Sequence, residues 1–137
     1  MTALRVLHVE NEPDIRHVVL ISLGHPDFIN RSCDSGEEAL AIAADWLPDI
    51  ILLDVTMPVM DGKAVLARLR HNNRTACIPV VFLTVCAQRR EIELLLSLGA
   101  VGVIPKPFDP MTLAGSVRDL AQPRWQLPSQ HISITVH

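Results

Sequence analysis

Tyrosine is absent from the 137 residues, and aromatic residues make up only 4%. A base-stacking surface for single-stranded nucleic acid is built from such rings, so that class is excluded. Lysine stands at only two positions, Lys63 and Lys106, in a chain of formal net charge −3. No basic footprint for direct nucleic-acid binding follows from that balance. Long apolar runs are missing too. Stretches such as residues 50–53 fall far short of the roughly 20 residues of a membrane-spanning helix. Residues 1–5 lead quickly into Glu10, Asn11 and Glu12, which is no signal peptide. Cysteine is sparse, and Cys33, Cys77 and Cys86 share no CxxC or metal spacing. This fits a reducing, cytoplasmic setting in which thiols act as small apolar residues. What is present is 49% hydrophobic residues with modest charge, which excludes a disordered chain. The length fits one domain.

Two periods alternate along the chain. Short runs rich in β-branched residues at 4–9, 28–33, 50–53, 80–83 and 101–104 predict strands. Five segments with helical spacing lie between and after them. The first opens near Pro13, places Ile15, Val18, Val19 and Leu23 on one face, and stops at Gly24. The second opens at Ser35 with Glu38 as its capping box and stops before Pro48. The third follows Asp61-Gly62, the fourth spans about 87–98, and the fifth runs from near Pro110 to before Pro123. This is a (βα)5 pattern, and it predicts an α/β doubly wound parallel sheet with helices on both faces. The unbroken apolar segment 50–53 suits a central strand. We divide the chain into a domain at 1–122 and a tail at 123–137. In the tail Ile132, Ile134 and Val136 alternate with polar residues, as in a disordered end or an added edge strand.

In open parallel sheets, function gathers at the carboxyl ends of the strands. Glu10, Asn11 and Glu12 follow the first strand, Asp54 the third, Thr84 the fourth and Lys106 the fifth. Carboxylates and carbonyl oxygens are Mg²⁺ ligands. An Asp can attack phosphorus and form an aspartyl phosphate. A lysine and a hydroxyl would then hold the phosphoryl oxygens, because phosphoryl transfer is mostly positioning and electrostatics. His8, His17, His25 and His71 fall on different elements, which argues against a histidine metal site or phosphoacceptor.

These segments resemble the receiver domain of two-component response regulators over about residues 3–121. The segments that carry the resemblance are Val6-Leu7-His8-Val9-Glu10-Asn11-Glu12-Pro13, then Ile51-Leu52-Leu53-Asp54-Val55-Thr56-Met57-Pro58 with Met60-Asp61-Gly62. They continue with Pro79-Val80-Val81-Phe82-Leu83-Thr84, and with Gly99-Ala100 before Gly102-Val103-Ile104-Pro105-Lys106-Pro107-Phe108. The resemblance implies a flavodoxin-like, CheY-like fold with strand order 2-1-3-4-5. It implies Asp54 as phosphoacceptor, Lys106 as its cationic partner, Thr84 as switch hydroxyl and a cis Lys106–Pro107 bond. It also implies a Mg²⁺ site drawn from Glu10, Asn11, Asp54 and the Thr56 carbonyl. The phosphoryl group would come from a sensor histidine kinase or a histidine phosphotransfer protein. Output would pass to a downstream protein, or to a second copy, through the face of the fourth helix, fifth strand and fifth helix. Such a chain is a phosphoacceptor rather than an enzyme with a substrate of its own.

The sequence departs from the family at three places. Glu10-Asn11 stands where two aspartates are usual, so Mg²⁺ binding is expected to be weakened by the lost charge at Asn11. Val103 stands where a switch aromatic is common, and Val85 replaces a smaller residue, either packing or restricting the hydroxyl. These departures motivate an alternative, a pseudo-receiver that works as a phosphorylation-independent interaction module. A phosphatase of the haloacid dehalogenase type is disfavoured, because Thr56 occupies the offset where that family has its second Asp. No output module follows the fifth helix in this sequence, so a stand-alone or excised receiver is expected.

Overall fold

The computed structural model describes residues 3–122 and 133–134. Six strands form one parallel sheet in the order β2-β1-β3-β4-β5-β6. They are β1 (Leu4–Val9), β2 (Phe28–Cys33), β3 (Ile50–Asp54), β4 (Val80–Thr84), β5 (Gly102–Pro105) and β6 (Ser133–Ile134). The helices are α1 (Pro13–Ser22), α2 (Gly36–Trp46), α3 (Gly62–Arg70), α4 (Arg89–Ser97) and α5 (Leu113–Leu120). Five parallel strands in the order 2-1-3-4-5 with five helices are the architecture that the sequence predicts. In the tail, residues 133–134 add a short strand beside β5, and the other tail positions lie outside the described residues.

Strand alternation sorts the core onto two faces. Leu7, Val9, Ile51, Leu53, Phe82 and Val103 face α2, α3 and α4, where they meet Ala39, Ala43, Val65, Leu66, Leu69, Ile92 and Leu95. Val6, Ile50, Leu52, Val81, Leu83 and Ile104 face α1 and α5, against Val19, Leu23, Leu113, Val117 and Leu120. Every residue of β3 is buried, as a central strand covered on both sides must be. Each such aliphatic side chain contributes about 1.5–3 kcal/mol of transfer free energy.

Local chemistry sets most helix starts. Pro13 opens α1. The Ser35 hydroxyl accepts the Glu38 N–H at 3.3 Å at the start of α2. The Asp61 carboxylate accepts the Ala64 N–H at 2.9 Å at the start of α3. Two starts differ from the sequence reading. The fifth helix opens at Leu113 rather than near Pro110, because the Asp109 carboxylate accepts the Met111 N–H at 2.8 Å and holds a turn there. The fourth opens at Arg89, since Thr84 ties Cys86 into a turn and no side chain caps the helix earlier. Gly62 is required where α3 begins, because a Cβ there would run into the Asp54 carbonyl oxygen. That close approach fixes the loop after β3 against its own strand.

Candidate functional site

The carboxyl ends of β1, β3 and β5 converge on one buried charge cluster. Lys106 Nζ donates to Glu10 Oε1 at 2.9 Å and lies 3.1 Å from Asp54 Oδ1. Glu10 is fully buried, and Asp54 is 5% exposed. Register explains the meeting. β1 and β3 pair side by side through Val9 and Leu53, so the residues just beyond emerge as neighbours. β4 pairs with β5 through Thr84 and Pro105, and the Lys106 N–H donates to the Thr84 carbonyl at 2.7 Å. The Lys106–Pro107 peptide is cis.

Electrostatics follow from this burial. Desolvation pushes the Glu10 carboxyl above its ordinary value, and the hydrogen bond from Lys106 pulls it back down. Burial by itself would lower the Lys106 ammonium, but its bonds to Glu10 and Asp54 outweigh that and leave it raised. The cluster is therefore a cation held between two carboxylates.

The other residues expected at the site fall as follows. The Thr56 N–H donates to Asp54 Oδ1 at 3.3 Å, and its side chain is exposed. Asn11 is exposed at the rim. Glu10 is turned inward to Lys106, and its second oxygen accepts the Glu12 N–H at 3.4 Å. Thr84 is buried, but its hydroxyl is engaged with its own loop. It accepts the Cys86 N–H at 3.0 Å and donates to the Cys86 carbonyl at 3.3 Å. Val103 is buried in the core beneath α4. Val85 does not pack; it is 76% exposed at the rim. Leucine exposure on α4 is mixed, with Leu95 buried and Leu94 and Leu98 more than 40% exposed.

Sequence reasoning missed two residues. Arg16 reaches from α1 to donate to the Glu10 carbonyl at 2.8 Å, clamping the end of β1. Phe108 lines a cavity of about 370 Å³ together with Ile15, Val18, Val85 and Lys106, opening beside the cluster. No spacing rule announces either one, because both contacts depend on how α1 lies across the sheet.

A divalent cation held here would draw on the Asp54 carboxylate, the Asn11 amide oxygen and the Thr56 carbonyl. These are hard oxygens of the kind Mg²⁺ takes, and few in number, as suits an ion that keeps its waters. They fit Mg²⁺ in kind, with a neutral amide at Asn11. Among the described residues no cluster of three His, Cys, Asp or Glu side chains could hold a metal.

Comparison with known proteins gives a consistent result. The family model "Response regulator receiver domain" matches residues 6–118. The chain is 33% identical over 124 residues to the "DNA-binding dual master transcriptional regulator RpaA" of Synechocystis sp., covering 90% of this chain and 52% of that protein. It is 45% identical over 87 residues to "Response regulator PleD" of Caulobacter vibrioides, covering 64% of this chain and 19% of that one. The chain thus spans about half, or less, of these relatives' length. Among solved structures, the chemotaxis response regulator CheY4 of Vibrio cholerae superposes with a TM-score of 0.81 at 30% identity, covering 87% of this chain and 99% of that one.

Proposed function

The chain belongs to the response regulator receiver domain family, and from that premise we propose that it accepts a phosphoryl group on Asp54 and signals by protein–protein contact. The observation that carries this reading is the placement of Lys106 Nζ 3.1 Å from Asp54 Oδ1, in a site that is nearly closed to water. In the proposed transfer, an Asp54 carboxylate oxygen attacks the phosphorus of a phosphohistidine. The P–N bond breaks, and the imidazole leaves with a proton from solvent. The added negative charge meets the Lys106 ammonium. Thr84 supplies a hydroxyl donor once it leaves Cys86. A bound divalent cation would add charge neutralisation at the phosphoryl oxygens. The donor is proposed to be a sensor histidine kinase or a phosphotransfer protein. Among the described residues no helix is long and apolar enough to cross a membrane.

The test uses beryllofluoride with Mg²⁺ and acetyl phosphate as small-molecule probes. Amide resonances at Asp54, Thr84 and Lys106 are expected to shift, with one phosphoryl group added by mass. Asp54→Asn should abolish both. A parent chain that shows neither response would instead be a phosphorylation-independent module. Asn11→Asp is expected to tighten Mg²⁺ binding by roughly tenfold, the scale of about 1.4 kcal/mol for one restored charge. A Mg²⁺ titration showing no gain would remove Asn11 from the metal site.

A further inference from the structure

Glu10, Asn11 and Glu12 connect β1 to α1, and Glu10 brings the carboxylate that holds Lys106. α1 starts without a side-chain cap, because Glu12 makes no capping hydrogen bond and Pro13 has no N–H. α2 and α3 do have such caps, at Ser35 and Asp61. The loop before α1 is braced in another way. Arg16 Nη1 donates to the Glu10 carbonyl at 2.8 Å, and the Arg16 N–H donates to the Glu12 carbonyl at 3.1 Å. One residue thus grips the loop at both ends, with Asn11 between. From the other side, the Glu10 N–H donates to the Cys33 carbonyl of β2 at 3.0 Å.

Arg16 is the fourth residue of α1, near the end where the helix dipole favours anions over cations. Stabilising the helix does not account for a guanidinium there. A charge-assisted bond to a carbonyl does, since such bonds are roughly twice as strong as neutral ones. The contacts then run on from Glu10 to the reacting group. Glu10 Oε1 accepts from Lys106 Nζ at 2.9 Å, and Lys106 Nζ lies 3.1 Å from Asp54 Oδ1. The Glu10 carbonyl and carboxylate belong to one residue, so a shift of the first carries the second with it. A displacement of about 1 Å in a reacting site can cost on the order of a hundredfold in rate.

We propose that Arg16 is a positioning residue: by holding the Glu10 carbonyl it keeps the Glu10 carboxylate on Lys106, and so keeps the Lys106 ammonium in place beside Asp54. The proposal rests on the reading of Asp54 as phosphoacceptor. Arg16 acts through Glu10 and not on the phosphoryl group itself.

The experiment uses the full chain. It has only two lysines, so lysine labelled with heavy nitrogen gives two ammonium signals by NMR, recorded cold and at mildly acidic pH. Lys63 is the internal control, paired with Glu91 at 3.3 Å between α3 and α4. Arg16→Met keeps an unbranched stem and removes the donors. In that variant, hydrogen exchange at Lys106 Nζ is expected to rise roughly tenfold, the scale of one charge-assisted bond, with Lys63 unchanged. Phosphorylation by acetyl phosphate at saturating Mg²⁺ should slow by a similar factor, still at Asp54. Arg16→Lys retains a donor and a charge, and should lie nearer the parent in both measurements. Lys106 exchange that stays at the parent's rate in Arg16→Met overturns the proposal. Faster exchange at both lysines also overturns it, since that is a general loosening of the fold. Faster exchange at Lys106 alone, with an unchanged phosphorylation rate, overturns the role in transfer. A parent chain that takes up no phosphoryl group refutes the phosphoacceptor reading instead, and the lysine exchange still decides whether Arg16 holds the pair.

Discussion

Lys106→Met is expected to lower the unfolding free energy by about 3–5 kcal/mol at neutral pH, the usual cost of stranding a buried charge. In a domain of this size that is a fall in Tm of about 10–20 °C. Glu10 is fully buried, and Lys106 is its cationic partner at 2.9 Å. Without the ammonium, two carboxylates share a dry site. Glu10 already sits above its ordinary value through burial, and Lys106 is what draws it down. Removing Lys106 therefore raises Glu10 further. The unfolded chain ionises Glu10 near the ordinary value, so the variant's deficit grows as pH rises through the folded value. It shrinks again as pH falls toward about 4.5. Urea unfolding at pH 7.5 and pH 5 checks this. Glu10→Gln combined with Lys106→Met should recover most of the loss. A deficit that is independent of pH, or a double variant no more stable than Lys106→Met, would show that the pair is not a buried ionic contact.

Acid should unfold this protein through His8, in addition to its carboxylates. His8 is 3% exposed, and among the described residues neither ring nitrogen has a partner. It lies on the α1 side of β1, in register with Ser32 and Leu52. Burial, with smaller contributions from Lys106 and Arg16, lowers its pKa from 6.5 to about 3. The folded state keeps it neutral while the unfolded chain takes up a proton. Stability is thus unaffected above about pH 6.5 and falls by about 1.4 kcal/mol per pH unit below it, until the folded group titrates near 3. At pH 4 the loss is about 3 kcal/mol. His8→Leu removes this acid limb and also deletes an unsatisfied buried imidazole, adding about 1 kcal/mol at pH 7. Chemical denaturation of both proteins from pH 7 to 4 is the measurement. Parallel stability curves would refute the assignment.

Much of this was legible in the sequence because periodicity and punctuation agree here. β-branched runs alternate with helical spacing, and Pro13, Ser35 and Asp61 mark helix starts that hydrogen bonding or proline geometry then enforces. The meeting of Glu10, Asp54 and Lys106 was legible because strand ends in a parallel sheet share one rim. What the sequence did not disclose was direction. Glu10 turns inward to Lys106, while Asn11 remains at the surface. Thr84 Oγ1 bonds its own loop, and Val85 points outward. Side-chain orientation just beyond a strand depends on loop path, which has no period. The buried, unpartnered His8 was equally hidden, since an imidazole inside an apolar run reads as part of that run.

Among the described strands, β2 keeps an open outer edge while β6 covers the other side of the sheet. That asymmetry bears on how copies of the chain can assemble. Two molecules joined edge to edge through β2 would be related by a two-fold axis, and each would present only its covered side outward. Such a contact closes at two. With both edges bare, the sheet could instead join head to tail, and nothing in that geometry limits growth. The two outer strands are thus unequal, six residues long in β2 and two in β6.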